Sequence, residues 1–122
     1  MATRNWNRLR RAFTLVEIMI VVLIIGILLA IAIPNFIRAR ETSRAKSCQS
    51  NLKQINGAKE QWAIDNKKGA TDAAPGTTDL APTYVKVFPA CPSNGTYAIG
   101  QVSTDPTCSV GAQQGYNDHV LP

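Results

Sequence analysis

The amino-acid sequence predicts an α+β fold. One long N-terminal α-helix, transmembrane in its first half and amphipathic in its second, packs on a minimal antiparallel β-hairpin or small sheet. Three observations predict it. Residues 18–33 run for sixteen positions without a charge. Apolar residues then recur at helical spacing as far as Trp62. Beyond residue 69 the composition shifts to Ala, Thr, Asp, Pro and Gly, interrupted by two short segments rich in β-branched and aromatic residues.

Residues 1–12 are polar and cationic. Arg4, Arg8, Arg10 and Arg11 supply four of the thirteen basic residues, and no acid stands among them. From residue 13 onward nine basic residues face eight acids, and from residue 47 onward five face six. The net charge of +5 therefore belongs to the N-terminal tag and to Arg38, Arg40, Arg44 and Lys46. A nucleic-acid footprint needs a clustered basic face on the folded part, so no direct nucleic-acid binding is predicted. The four cations after the apolar run are read as a solvated face, with lipid headgroups or partner acids as the alternative.

Residues 13–33 carry only Thr14 and Glu17 as polar interruptions. At about 1.5 Å per residue, a helix of this length spans about 30 Å, the thickness of a bilayer core. Arg10 and Arg11 before it hold residues 1–12 on the cytoplasmic side and send the C-terminus outward. A secretory signal peptide has a shorter apolar region, about 7–15 residues, followed by a small-residue cleavage site. Here the run is longer and no Ala-x-Ala site ends it, so the segment is expected to stay attached as a single-pass anchor.

Pro34 closes the apolar run, but residues 35–68 continue as an amphipathic helix. Ala45, Cys48, Leu52, Ile55 and Trp62 recur at steps of three, four, three and seven, which is one helical face, with Trp62 expected in the core. Gln49, Lys53, Gln54, Lys59 and Glu60 are assigned to the solvated face. Within a helical pattern Pro34 predicts a kink rather than a stop, and Gly26 and Gly57 lower helix propensity without ending it. Asn66-Lys67-Lys68-Gly69 reads as a C-terminal signature. A helix over residues 13–68 would be roughly 84 Å long.

Residues 69–122 remain for a small C-terminal domain, near the size at which staples are needed. Residues 69–82 read as a loop. Residues 84–88 (Tyr-Val-Lys-Val-Phe) and 96–102 are strand candidates, with Asn94-Gly95 between them as a hairpin turn. Asn94-Gly95-Thr96 also fits a glycosylation sequon, but the turn reading is preferred. No internal repeat is visible.

Glu17 is the residue that needs an explanation. A carboxylate at the start of a bilayer-spanning helix costs a few kcal/mol, roughly, and is by default functional. Either it lies near enough to the interface to stay hydrated, or it pairs with a cation from another copy of the chain; the second reading is preferred. Arg11-Ala12-Phe13-Thr14-Leu15-Val16-Glu17, followed by the apolar run with Gly26 and Pro34, closely resembles the type IV prepilin signal, over about residues 10–68. In that family a prepilin peptidase cuts just before the Phe and methylates the new N-terminus. The resemblance implies a leader of residues 1–12, a cut between Ala12 and Phe13, methylation of Phe13 and an assembly role for Glu17. The family's usual Gly before the cut is replaced by Ala12, the next smallest residue. Gly26 and Pro34 match the family's Gly and Pro.

The physics fits that resemblance. A cut at Phe13 exposes an amine near the membrane surface, and this amine can neutralise the Glu17 of a neighbour already in place. Desolvation keeps the net gain of such a pair modest, so its contribution is mainly registry. Burial of Leu, Ile and Val among neighbouring helices supplies cohesion once the filament leaves the bilayer.

Cys91 and Cys108 bracket the hairpin candidate and are the first choice for a disulfide, since the part beyond Pro34 is expected in an oxidising compartment. That bridge closes a loop of about 18 residues, worth roughly 3 kcal/mol. A bridge through Cys48 and three free thiols stay open, because Cys48 on the apolar helix face also reads as a small buried residue. The spacings lack any C-x-x-C or His pair, so no metal site is expected, and no cofactor is called for. His119 is the only histidine, and no Ser or Cys near it in sequence makes a triad. Cys91-Pro92, Gly95-x-Tyr97, Cys108-Ser109 and His119-x-Leu121-Pro122 look like the tail of short pilin-like proteins, a weaker resemblance that fixes no role.

The sequence therefore reads as a structural subunit, not an enzyme. The partners that the resemblance implies are other copies of the chain in a helical filament, a prepilin peptidase, membrane lipid, and an inner-membrane assembly platform with a cytoplasmic ATPase. The small outer domain favours a type II secretion pseudopilin over a type IV pilin for adhesion, twitching or DNA uptake. An uncleaved bitopic membrane protein that binds a ligand is the rival from another class, and it leaves Glu17 unexplained.

Overall fold

The structure is a computed structural model that describes residues 12–111 and 118–122. Most of the expected leader, residues 1–11, and residues 112–117 lie outside the described residues. The elements are α1 (Leu15–Asp65), α2 (Thr77–Leu80), β1 (Tyr97–Ala98) and β2 (Thr107–Cys108). The α+β architecture expected from the sequence is present: one long helix and a two-stranded antiparallel sheet. The chain divides into two compact units, Met1–Phe36 and Ile37–Pro122.

Helix α1 starts where Thr14 and Glu17 cap it. The Glu17 amide donates to Thr14 Oγ1 (3.2 Å), and the Thr14 amide donates back to Glu17 Oε2 (3.0 Å). This is a reciprocal capping box that satisfies amides left orphaned at a helix start. Pro34 lies inside the helix and does not end it. The helix stops at Asp65, three residues before the expected end. Lys67 adopts a left-handed φ of 52°. Its amide bonds the Ile64 carbonyl (3.2 Å), and that of Lys68 bonds Ala63 (2.8 Å). That is a Schellman closure with Lys67 where glycine is usual; Gly69 comes too late to serve.

Within the unit Ile37–Pro122, α1 buries Ala45, Cys48, Leu52, Ile55, Ala58, Lys59 and Ala63. Among the described residues the core has two clusters. Ile55, Ala58, Leu80, Val85 and Ile99 form one, flanked by half-buried Trp62, Tyr84, Phe88 and Tyr97. Cys48, Leu52, Cys91 and Cys108 form the other, flanked by Tyr97, Val110 and Leu121. Tyr97 borders both.

Four expectations need correction. Residues 84–88 are not a strand: the amides of Tyr84 and Val85 both bond back to the Leu80 carbonyl (2.8 and 3.0 Å), closing a turn after α2 instead of donating to a ladder. The partner of β1 is β2, with Tyr97 opposite Cys108 and Ala98 opposite Thr107. Asn94-Gly95 consequently is not the hairpin turn; Asn94, at φ 59°, closes a tight turn onto the Cys91 carbonyl before β1 begins. Residues 69–82 are not all loop, because Thr77–Leu80 forms a helical turn. Its start is tied by Asp79 Oδ2, which accepts from the Gly76 amide (2.7 Å). Finally, Lys59 is fully buried rather than solvated. It falls four residues after Ile55, on the buried stripe, and its polar end hid that register.

Candidate functional site

Two constellations hold the chemistry. The first is the start of α1. Glu17 Oε2 accepts from the Thr14 amide and from Thr14 Oγ1 (3.2 Å), so one carboxylate oxygen is committed to the chain's own helix start. Ala12, Phe13 and every residue as far as Arg40 are exposed. Phe13, Leu15, Met19, Leu23, Leu28 and Phe36 stand among many large apolar side chains that nothing in the chain covers among the described residues. The helix is long and apolar enough to cross a membrane. A continuous apolar surface of this extent marks lipid or a protein partner. Gly26 carries no contact that a Cβ would disturb. The Thr-x-x-Glu capping pattern before an apolar run was readable in the sequence; the electrostatic question about Glu17 obscured it.

The second constellation was not anticipated as a unit. Cys48 comes from α1, Cys91 from the loop before β1, Cys108 from β2 and His119 from near the C-terminus. All four are buried, and each offers a donor atom within 4.8 Å of the others'. Cys91 and Cys108, expected as a disulfide pair, have their Sγ atoms 3.7 Å apart; Cys48 Sγ is 3.8 Å from Cys91 Sγ, and all three are free thiols. His119 Nδ1 is buried without a hydrogen-bond partner among the described residues. No local motif announces the group, because its members lie 43, 17 and 11 positions apart along the chain.

The surroundings treat the thiols unequally. Burial pushes Cys48 up to about 12, against the opposing hydrogen bond from the Tyr97 hydroxyl (3.5 Å). At Cys91 burial also pushes upward, but the backbone N–H groups of Ser93 and Gly95 and the neighbouring thiols outweigh it, and the net shift is downward. Asn51 Nδ2 donates both to Tyr97 Oη (3.0 Å) and to the Ala90 carbonyl (3.0 Å), holding the ring and the incoming loop. Gln49 Nε2 donates to the Asp118 carbonyl (2.8 Å), which fixes the segment carrying His119. A Cβ on Gly95 would lie 2.6 Å from Cys108 Sγ and 2.8 Å from Val110 Cγ2. Only glycine permits that approach.

Lys59 organises the rest of the sheet loop. Its Nζ donates to the carbonyls of Ile99 (3.2 Å), Gln101 (3.0 Å) and Thr104, all in the connection between β1 and β2. Burial lowers its pKa from the ordinary lysine value, and Asp105 and Glu60 oppose the shift.

Residues 7–33 match the family model described as the prokaryotic N-terminal methylation motif. The chain is 47% identical over 62 residues to the type IV major pilin protein of Myxococcus xanthus, a match covering 51% of this chain and 28% of that one. It is 34% identical over 62 residues to the type II secretion system core protein G of Klebsiella pneumoniae, covering 51% and 44%. It is 30% identical over 105 residues to the type IV wide pilus major component of Thermus thermophilus, covering 86% of this chain and 75% of that protein. The matched segments thus span less than half of the first two relatives. No solved structure matches.

Proposed function

The chain belongs to the type IV pilin family, and on that premise we propose that it is a structural subunit of a pilus-like filament, serving as a pseudopilin of a type II secretion system. The observation that carries this reading is the first half of α1, whose apolar side chains are all exposed in the isolated subunit. Such a surface needs lipid before assembly and neighbouring helices after it.

In this reading residues 1–12 are a cytoplasmic leader. A prepilin peptidase cuts between Ala12 and Phe13 and methylates the Phe13 amine, and residues 13–33 hold the subunit in the inner membrane until a platform with a cytoplasmic ATPase extracts it. The methylation-motif match over residues 7–33 supports the processing step. Glu17 then meets the Phe13 amine of an adjacent subunit. Both bonds from Thr14 to the carboxylate fall on Oε2, so the helix cap and the intersubunit pair draw on different oxygens. Gly26 and Pro34 provide the place where the helix bends during packing. A surface pilus is the second reading, favoured by the extent of the match to the Thermus thermophilus wide-pilus component.

The test is the N-terminus and intact mass of the membrane-extracted protein, with and without the host's prepilin peptidase. A peptidase-dependent chain that begins at Phe13 and is heavier by one methyl group is the expected result. A chain retaining Arg10 and Arg11 in both samples would replace this reading with an uncleaved membrane anchor. Deletion of the gene then separates the two uses: loss of protein export for a pseudopilin, loss of surface fibres for a pilin.

A further inference from the structure

We propose that Cys48, Cys91, Cys108 and His119 form a tetrahedral site for a structural zinc ion. With Zn–S bonds of about 2.3 Å, tetrahedral geometry sets S···S edges of about 3.8 Å. The two measured edges are 3.8 Å between Cys48 and Cys91 and 3.7 Å between Cys91 and Cys108. A disulfide needs about 2.0 Å. It would also use two of the three thiols and strand the third beside it.

His119 supplies an independent observation. It is 2% exposed, and its Nδ1 finds no partner among the described residues, although buried polar atoms are normally satisfied. A cation inside the cluster satisfies it. The donor set, three sulfurs and one imidazole with no carboxylate, is soft and selects zinc over magnesium or calcium. The supporting contacts are those that tune thiolate ligands: backbone N–H groups of Ser93 and Gly95 directed at Cys91, and the Tyr97 hydroxyl donating to Cys48. The Asn94 turn and the close approach of Gly95 shape the loop around Cys91 much as a metal-binding knuckle requires.

Binding displaces one proton from each of three thiols, and His119 gives a ring-nitrogen lone pair. Zn2+ with three thiolates leaves a site of one negative charge, which those N–H and O–H donors stabilise. No oxidant is consumed. The ion ties α1, the loop before β1, β2 and the segment carrying His119 together, so it supplies the staple that a domain this small needs.

The test uses the full chain, purified in detergent without reductant and without a polyhistidine tag. Metal content is measured by mass spectrometry after dialysis against zinc-free buffer, and thiols are counted after denaturation with a chelator. One zinc per chain with three titratable thiols is the expected result. Cobalt(II) in place of zinc should give a thiolate-to-metal charge-transfer band. His119→Cys should keep the zinc and His119→Phe should lose it, with helix content retained in the former. A protein two hydrogens lighter with one titratable thiol would overturn the site in favour of a disulfide. Three titratable thiols without bound metal, or zinc content indifferent to His119→Phe, would overturn it as well.

Discussion

Along one continuous helix the first half exposes every side chain and the second buries a stripe. The first half is apolar on all sides and carries its information in composition. The second half is apolar on one side and carries its information in register. A residue of the first half is therefore worth little to the isolated subunit and much to whatever surrounds it, whereas a residue of the second half is worth a great deal to the subunit itself.

The largest expected effect sets the two halves directly against each other. Leu52 is fully buried between the cysteine cluster and the C-terminal residues. Leu52→Ala should destabilise the domain by about 2–5 kcal/mol. Leu23, 64% exposed, should change it by less than about 0.5 kcal/mol on the same substitution. Thermal unfolding of the detergent-solubilised chain, followed by circular dichroism, measures both. Equal effects would break the contrast, because they would mean that the first half also has an internal core.

Next come the positions where register admits a polar or absent side chain. Gly95→Ala forces a methyl group against Cys108 Sγ and Val110, and should cost about 1–3 kcal/mol as overpacking. Lys59→Met keeps the aliphatic stem but leaves the carbonyls of Ile99, Gln101 and Thr104 without their donor. It should destabilise by about 1–3 kcal/mol, with faster hydrogen exchange confined to residues 99–106. A neutral result at Lys59 would show that the ammonium's desolvation cancels its three bonds. Sign matters for pH. The folded pKa of Lys59 is lowered, so the unfolded chain binds more protons between the two values. Its penalty is present at neutral pH and is relieved as pH rises towards 10.5. Lys59→Met should therefore flatten stability against pH just below that value.

How legible each half was follows from the same contrast. The exposed apolar run, its length and the odd carboxylate at Glu17 could be read off because composition alone marks a segment long and apolar enough to cross a membrane. The buried stripe through Cys48, Leu52 and Ile55 was visible through a fixed period. The cysteine–histidine group was not legible, since its members come from four separate stretches and only tertiary folding brings them to one point. Residues 84–88 misled for a local reason: their strand propensity lost to the Leu80 carbonyl, which captured two of their amides. Lys59 misled because a charge is ordinarily a mark of the solvated face, and here three backbone carbonyls replace water.

Glu17 sharpens the comparison at the start of α1, since it caps the helix and is proposed to pair between subunits. Gln at the third helical position still completes a capping box, so Glu17→Gln removes the charge and keeps the cap. Glu17→Ala removes the charge and the carboxylate half of the cap, leaving the residue-17 amide bonded to Thr14 Oγ1. Both variants should insert normally. If charge drives registry, both should lower filament yield, measured by shearing and quantitative immunoblot; wild-type yield in Glu17→Gln would leave only the cap.

The smallest effect lies at the other end of α1 and has the opposite sign. Lys67 holds a left-handed conformation, φ 52°, which a residue with a Cβ adopts at a cost that glycine avoids. Its closing bonds run from backbone amides to Ile64 and Ala63, so the side chain is not needed for the turn. Lys67→Gly should stabilise the domain by up to about 1 kcal/mol, less the extra freedom that glycine gives the unfolded chain. Thermal unfolding read on the same scale as Leu52→Ala decides it. A lower midpoint would mean that the lysine side chain contributes more at the helix end than the backbone strain removes. Either way the answer comes from the domain half alone, because the capping bonds that it tests never involve the anchor.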